Sequence, residues 1–359
     1  MFYREAGQFK TTYRDDMAVF PILQDRIGLL VIISLAIFAI PLLGSKFFIS
    51  SVMIPFLVFT LAAIGLNILT GYTGLISLGT GAFMGVGAFA CYKLTTYFPN
   101  VNIIVWILAS GLFSAAIGVM FGIPSLRVKG FYLAVATLAA QFFLQWCFVR
   151  IPWLFNYNVS GAIEVPERTL LGLAITGPRA TPEVRYLVLL GIVALMTWVA
   201  SNILHGRIGR KWMAVRDMDI AAELMGIKML PTKLLSFAVS SYYCGVAGAC
   251  MMFLWYGGGE ANDVFDINTS FNVLFMVIIG GLGSLIGCFF GAAFISSLPT
   301  TLKFGLPAMG IPITGATAEH MTFIVTGSLI IFFLIVEPHG LARLWQIAKE
   351  KLRLWPFPY

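Results

Sequence analysis

The sequence predicts an all-α integral membrane protein with about 8–10 transmembrane helices, some of them broken or re-entrant. Of its 359 residues, 59% are hydrophobic and only 11% are charged, and the mean hydropathy is +0.90. Soluble domains carry about 25% charged residues, so most of this chain must lie in lipid. Each span needs about 20 apolar residues, which sets the upper limit on the number of helices.

Apolar runs follow one another along the chain and are separated by loops rich in Gly, Pro or charge. The predicted spans cover about 27–43, 52–70, 71–93, 102–123, 131–149, 186–204, 234–256 and 321–336. Pro55 lies inside the second span and is expected to kink it. Residues 271–299 are apolar but interrupted by glycine, and they form either two short spans or a re-entrant pair of half-helices. Ten spans would divide into two inverted halves of five, an arrangement that many transporters use.

Basic residues indicate which loops face the cytoplasm. The predicted parts are an N-terminal arm (1–26), a transmembrane domain (27–336) and a C-terminal tail (337–359), with long loops at 150–185 and 205–233. The arm, the turn at 124–130, the 205–233 loop and the tail carry four, two, six and four Lys or Arg, together 16 of the chain's 23. The positive-inside rule then places both termini and the 205–233 loop in the cytoplasm and the 150–185 loop outside. The net charge of +7 reflects this orientation and predicts no nucleic-acid partner.

A glycine-rich stretch, GYTGLISLGTGAFMGVGAFA at 71–90, opens the third span. Its six glycines allow neighbouring helix backbones to approach closely in lipid. The same composition is also typical of a broken helix that lines a solute path. The two interpretations are compatible, and both stay open.

Several functional motifs are absent from the sequence, and their absence excludes or disfavours several classes of protein. No G-x-x-x-x-G-K-[ST] occurs, so the chain has no P-loop for ATP, and no His or Cys spacing predicts a metal site. No span carries a central Asp or Glu, which disfavours a proton symporter, and no acid–base pair predicts an enzyme. The amides Asn67, Gln141 and Gln145 lie within spans, where they touch a polar solute or bond across helices.

The 205–233 loop predicts a short amphipathic helix at the cytoplasmic membrane surface. Its apolar stripe has helical spacing and consists of Ala214, Val215, Met218, Ala221, Ala222 and Met225. The opposite face carries Arg216, Asp219 and Glu223, and Gly226 stands where the helix should end. Such a helix could transmit force from a separate ATPase, whereas the simpler alternative is an ordinary cytoplasmic loop.

The segment GRKWMAVRDMDIAAELMGI at 209–227 resembles the coupling motif of the branched-chain amino acid ABC permeases of the LivM type, which is close to G-R-x-x-x-A-I-R-x-x-x-x-A-A-x-x-x-G-I. The matching residues are Gly209, Arg210, Ala214, Arg216, Ala221, Ala222, Gly226 and Ile227, with Val215 in place of Ile. Segments at 71–90, 126–139, 270–294 and 337–341 resemble the same family in the same order. Many members carry Glu at the position of Gln141, and the loop NVSGAIEVP only loosely resembles the family's Thr-Gly-Gly segment.

The resemblance implies a permease subunit of an ATP-driven importer in the bacterial inner membrane, carrying branched-chain amino acids or a related small solute such as urea, an amide or an aromatic acid. It implies four kinds of partner: a second homologous permease subunit, two ABC ATPase subunits, a periplasmic solute-binding protein and membrane lipid. ATP would be used on those ATPase subunits, with no cofactor on this chain. The alternative is a self-sufficient secondary transporter or channel for a small polar solute.

The resemblance also assigns two sets of candidate residues. The ATPase-coupling set is Arg210, Ala214, Arg216, Asp217, Ala221, Ala222, Glu223 and Gly226. The translocation-path set is Gly71, Gly74, Ser77, Gly79, Phe83, Gly280, Gly281, Gly283 and Ser284. Residues 212–226 would then sit in a cleft of an ATPase, and the solute would cross between the two permease subunits.

Overall fold

The computed structural model of the protein describes Thr12 and residues 23–126, 132–158, 162–170, 172–177, 179–308, 315–336 and 340–354. Most of the predicted N-terminal arm, four residues of the basic turn (127–130) and the EPH of the EPHGL segment lie outside these ranges. Three residues of the NVSGAIEVP loop, 159–161, also lie outside them. Within the described residues the chain is almost entirely helical, which confirms the predicted fold class.

Most of the helices follow the predicted spans. The predicted third span, 71–93, is wrong at its start, because residues 71–73 end the preceding helix at Gly74, which has φ +76°, and the next helix is Thr80–Tyr97. In chain order they are α1 (Leu23–Ser34, then a π-helical turn Leu35–Ala39 and Ile40–Leu43), α2 (Lys46–Phe48, a π-helical turn Ile49–Met53, then Ile54–Thr73), α3 (Thr80–Tyr97), α4 (Ile103–Ser125), α5 (Tyr132–Arg150), α6 (Pro182–His205), α7 (Arg207–Asp217), α8 (Asp219–Leu224), α9 (Met229–Cys250, then a π-helical turn Met251–Tyr256), α10 (Ala261–Val264), α11 (Ile267–Gly280), α12 (Leu285–Ala308), α13 (Gly315–Val336) and α14 (Gly340–Leu354). Among the described helices, α1, α2, α4, α5, α6, α9 and α12 are long and apolar enough to cross a membrane. The protein is therefore a multi-pass membrane protein.

The structure departs from the predicted spans at two further places. The π-helical turn Ile49–Met53 ends two residues before Pro55. Proline has no N–H and its ring clashes with the carbonyl four residues earlier, and a π turn accommodates that clash. The 271–299 region matches neither predicted alternative, because α11 has 14 residues and α12 has 24. At 1.5 Å per residue these helices are about 21 and 36 Å long, so one is short and the other is long enough to span.

Helix α9 forms the centre of the bundle and packs against α2, α3 and α4. Its backbone approaches theirs closely because small residues stand at the crossings. A Cβ on Gly87 of α3 would lie 2.0 Å from Gly245 O of α9, and a Cβ on Gly65 of α2 would lie 2.7 Å from Tyr243 Cβ. At Gly87 the glycine-rich stretch therefore serves close packing. By contrast, α1 exposes large apolar side chains along most of its length, as expected of a helix facing lipid.

The connecting loops gather at the two ends of the bundle. One end of the bundle brings together four parts of the chain: Gly71 near the end of α2, the turn 281–284, α7 and the start of α14. The opposite end carries a 3₁₀ turn (Pro152–Phe155) and four short strands, β1 (Ile163–Glu164), β2 (Thr169–Leu170), β3 (Leu173–Ala174) and β4 (Gly258–Gly259). Strand β1 pairs antiparallel with β4, and β2 with β3. These two groups are the ones that the positive-inside rule assigns to opposite sides of the membrane.

Arg168 fastens the 150–185 loop to the end of α3. Its Nη1 donates to Pro99 O at 2.5 Å, and its Nη2 donates to Thr95 O at 2.6 Å. An Arg168→Ala variant is expected to free the loop, so that limited proteolysis within 162–170 accelerates several-fold while the melting temperature changes by less than about 2 °C. The exposed Arg179 in the same loop provides the control, since Arg179→Ala should leave the cleavage rate unchanged. Equal cleavage rates in both variants would contradict the tether.

Candidate functional site

The candidate site lies where three chain segments meet at the α7 end of the bundle. They are the last turn of α2, the turn between α11 and α12, and α7. Gly74 ends α2 with φ +76°, and the turn residues Gly281 and Gly283 have φ +116° and +78°. Glycine adopts these left-handed conformations without a steric penalty, which explains why both helices break where the sequence is rich in glycine. We call Gly71, Gly74, Gly281 and Gly283 the glycine node.

Asn67 holds the node together from inside the bundle. Its Nδ2 donates to Ser284 O at 3.0 Å and to Cys288 Sγ at 3.2 Å, while its Oδ1 accepts from Gly283 N at 2.9 Å. The side chain is fully buried. Asn67 therefore bonds across helices, one of the two roles that the sequence left open. A Cβ on Gly71 would lie 2.0 Å from Asn67 Oδ1, so the amide fits only because residue 71 is glycine.

Arg216 of α7 reaches the node from the loop side. Its Nη1 donates to Gly71 O at 2.8 Å. Its Nε and Nη2 both contact Asp217 Oδ1 at 2.9 Å. The Arg216 side chain is 38% exposed and that of Asp217 is 65% exposed. The structure thus brings together one predicted coupling residue, Arg216, and the predicted path residues Gly71, Gly74 and Gly283.

The predicted single amphipathic helix is two helices. Met218 has φ −155° and ψ 100°, and this extended residue separates α7 from α8. The stripe divides accordingly, because Val215 and Ala222 are buried whereas Met218 and Met225 are exposed. Trp212 anchors α7, since its buried indole N–H donates to Thr232 O at 3.1 Å. The expected apolar face is therefore wrong at Met218 and Met225 and correct at Ala222, and Gly226 ends α8 as predicted, with φ +85°.

Four large apolar side chains project from α8 and the residues flanking it. Met218, Ile220, Leu224 and Met225 are 71%, 74%, 85% and 70% exposed. We call these four residues the apolar projection. Of the other predicted coupling residues, Arg210, Asp217, Glu223 and Gly226 are exposed, Ala214 and Ala221 are partly buried, and Ala222 is buried. A cluster of this kind on an otherwise polar loop is typical of a surface that binds another protein.

The remaining path residues lie deeper in the bundle. Ser77 and Phe83 are buried, and Phe83 packs edge-to-face on Phe237 of α9 with ring centroids 5.7 Å apart. A Cβ on Gly79 would lie 2.9 Å from Thr137 O of α5. Gly280 packs against Gly287 at the start of α12. The predicted path set therefore divides between the glycine node, the packing of α11 against α12 at Gly280, and the contacts of α3 and the residues before it with α5 and α9.

The family is decided by comparison with known proteins. A family model described as the permease component of branched-chain amino acid transport systems matches residues 48–334. The chain belongs to this family. Within the described residues of this permease, no three His, Cys, Asp or Glu side chains come together in a group that could hold a metal ion.

Several curated relatives are similar to this permease. The high-affinity branched-chain amino acid permease LivM of Salmonella typhimurium is 27% identical over a matched stretch of 308 residues, and the match covers 79% of this chain and 68% of the relative. LivM of Escherichia coli has the same identity and coverage. A probable LivM of Methanocaldococcus jannaschii is 24% identical over a matched stretch of 333 residues, and the match covers 82% of this chain and 92% of the relative. No solved structure matches the chain significantly.

Sequence reasoning found half of the apolar projection of this permease, since Met218 and Met225 were in the predicted stripe, and missed Ile220 and Leu224. Ile220 and Leu224 stand four residues apart and therefore share a helix face, which is the signal that could have revealed them. They were not included in the predicted stripe, because that stripe assumed an unbroken helix from Ala214 to Met225. Once α8 starts afresh at Asp219, Ile220 and Leu224 form its outer face.

Proposed function

We propose that this chain is the permease subunit of an ABC importer that carries branched-chain amino acids, or a related small solute, across the bacterial inner membrane. Three curated relatives are named for branched-chain amino acid transport, which supports this choice of solute. The chain lacks a P-loop, so ATP would be hydrolysed on separate subunits. It would act with no cofactor of its own.

The apolar projection is the observation that carries the proposal. Leaving four large apolar side chains in water is unfavourable, at about 1.5–3 kcal/mol for each one that could otherwise be buried. Burial in a cleft of an ATPase subunit would remove that cost. The flanking Arg210, Asp217 and Glu223 are exposed and would supply charged contacts around this apolar centre.

The complex that we propose has a second homologous permease, two ABC ATPase subunits and a periplasmic solute-binding protein. Both termini and the 205–233 loop would face the cytoplasm, which the distribution of Lys and Arg supports. The ATPases would bind at the α7 end, and the binding protein at the opposite end, which carries β1–β4. The solute would cross between the two permeases, near the glycine node and α3.

A Leu224→Asp variant tests the docking role of the apolar projection. With its partner subunits in proteoliposomes, the variant is expected to take up radiolabelled leucine at least about tenfold more slowly, because a charge replaces a buried anchor. Co-purification of the ATPase subunits should fall in parallel. The matched control for co-purification is Leu173→Asp, an exposed leucine on β3 at the opposite end, which should retain the ATPase subunits as the wild type does. Normal ATPase binding by Leu224→Asp would refute the docking role of the apolar projection, and uptake by the permease alone on an ion gradient would refute the importer proposal.

A further inference from the structure

All three nitrogens of the Arg216 side chain have a partner within this chain: Nη1 and Nε donate hydrogen bonds, and Nη2 forms an ion pair. One faces Gly71 O and two face Asp217 Oδ1. These contacts hold the guanidinium against the glycine node. The four side chains of the apolar projection lie within ten residues of Arg216 but are exposed, so Arg216 is bound within this chain and the apolar projection is not.

The contact with Gly71 satisfies a carbonyl that α2 itself leaves open. The last carbonyls of a helix have no intrahelical partner, and the C-terminal end of the helix dipole is negative. At the end of α2 the Leu75 N–H turns back to Leu69 O at 3.1 Å and does not reach Gly71 O. A guanidinium cation is well suited to this position, because it supplies both a donor and a positive charge.

Two glycines leave the room that the Arg216 side chain occupies. A Cβ on Gly74 would lie 3.1 Å from Arg216 Cγ, and a Cβ on Gly283 would lie 3.1 Å from Arg216 Nη1. The guanidinium therefore lies between the end of α2 and the turn that joins α11 to α12. Asn67 binds the same turn from the other side, through Gly283 N and Ser284 O.

We propose that Arg216 is a positioning residue that passes a displacement of α7 to the glycine node, and so to the ends of α2, α11 and α12. This role rests on the proposed function, because α7 would be moved by the ATPase. Trp212 and Val215 pack α7 as a rigid body, and Arg216 is the side chain by which that body holds the end of α2. Positive-φ glycines on both sides of the guanidinium let the two helix breaks act as hinges.

The test measures uptake and ATP hydrolysis together in the reconstituted importer. Arg216→Ala is expected to keep the ATPase subunits bound and to hydrolyse ATP within about twofold of wild type, whereas solute uptake per ATP falls about tenfold or more, the equivalent of one lost charged hydrogen bond. The uptake per ATP of Arg216→Lys should lie between the values of the wild type and Arg216→Ala, because one ammonium cannot span Gly71 O and Asp217 as the guanidinium does. Lys211→Ala, at an exposed position on the same helix, is the control and should keep the wild-type ratio.

Two results would overturn the role of Arg216. An unchanged ratio of uptake to hydrolysis in Arg216→Ala would show that no force passes through this side chain. Loss of the ATPase subunits from the complex would show that Arg216 is a docking contact instead. If the wild-type protein itself shows no ATP-dependent uptake, the proposed function fails, and the structural link is then tested on the permease alone.

That separate test uses Cys288, whose Sγ accepts from Asn67 and is buried at the node. In a variant that keeps Cys288 as its only cysteine, Arg216→Ala is expected to raise the rate of alkylation by a membrane-permeant maleimide by about tenfold, because the node opens more often. Lys211→Ala should leave that rate unchanged. An unchanged rate in Arg216→Ala would overturn the link whatever the protein transports.

Discussion

Gly248→Leu is expected to prevent this permease from folding. A Cβ on Gly248 of α9 would lie 1.9 Å from Met84 O and 2.4 Å from Met84 C of α3, which are backbone atoms that cannot turn aside. A leucine would force the central helix away from α3, and it would disturb the neighbouring contact between Gly87 and Gly245. Overpacking a core costs about 1–3 kcal/mol even when side chains alone must shift, and here two backbones must separate.

The measurement is the yield of monodisperse protein by size-exclusion chromatography in detergent, which should fall to background. Gly191→Leu is the matched control, because Gly191 also lies inside a spanning helix but has no atom within 4 Å of the position of its Cβ. That variant should be recovered at the wild-type yield. A monodisperse Gly248→Leu protein with the wild-type melting temperature would mean that α3 and α9 do not cross at this point.

The spans could be predicted from the sequence because lipid imposes a strict length and composition on each helix. The spans predicted at 102–123 and 131–149 correspond to the helices Ile103–Ser125 and Tyr132–Arg150. The break near Gly281 was also predictable, since several glycines interrupt an apolar run. The position of that break, which leaves α11 short and α12 long, depends on packing against Asn67 and could not be read from composition.

The contacts of the candidate site could not be predicted, because they join distant parts of the chain. Asn67 and Ser284 are 217 residues apart, and Arg216 and Gly71 are 145 apart. The sequence identified these residues one by one but carried no information on how they pair. The helix break at Met218 was missed for a related reason. The spacing of Ala214 to Met225 fits one helix, and only the burial of Trp212, Val215 and Ala222 determines which faces turn inward.

The side chain of Gln141 also joins distant helices inside the bundle, and Gln141→Leu is expected to be strongly destabilising. Gln141 Oε1 accepts from Ala82 N at 2.6 Å and from Ser270 Oγ at 3.1 Å, and Nε2 donates to Phe265 O at 3.0 Å. Ser270 Oγ accepts in turn from Gly81 N at 2.7 Å. Because the amide is fully buried, leucine would leave the Ala82 N–H and Phe265 O unpaired, at about 1–3 kcal/mol each.

Gln141→Glu keeps the length of this side chain and replaces only its NH2 group. In this fully buried site the carboxyl is expected to be protonated, so that one oxygen still accepts from Ala82 N and Ser270 Oγ while the O–H donates to Phe265 O, and the loss should be smaller than for leucine. The melting temperature in detergent should therefore rank wild type above Gln141→Glu and Gln141→Glu above Gln141→Leu. Phe142→Leu, at an exposed neighbour on α5, should melt as wild type does. If Gln141→Leu melted with that control, the first turns of α3 and α11 would owe their position to apolar packing, and the amide would be free to contact solute.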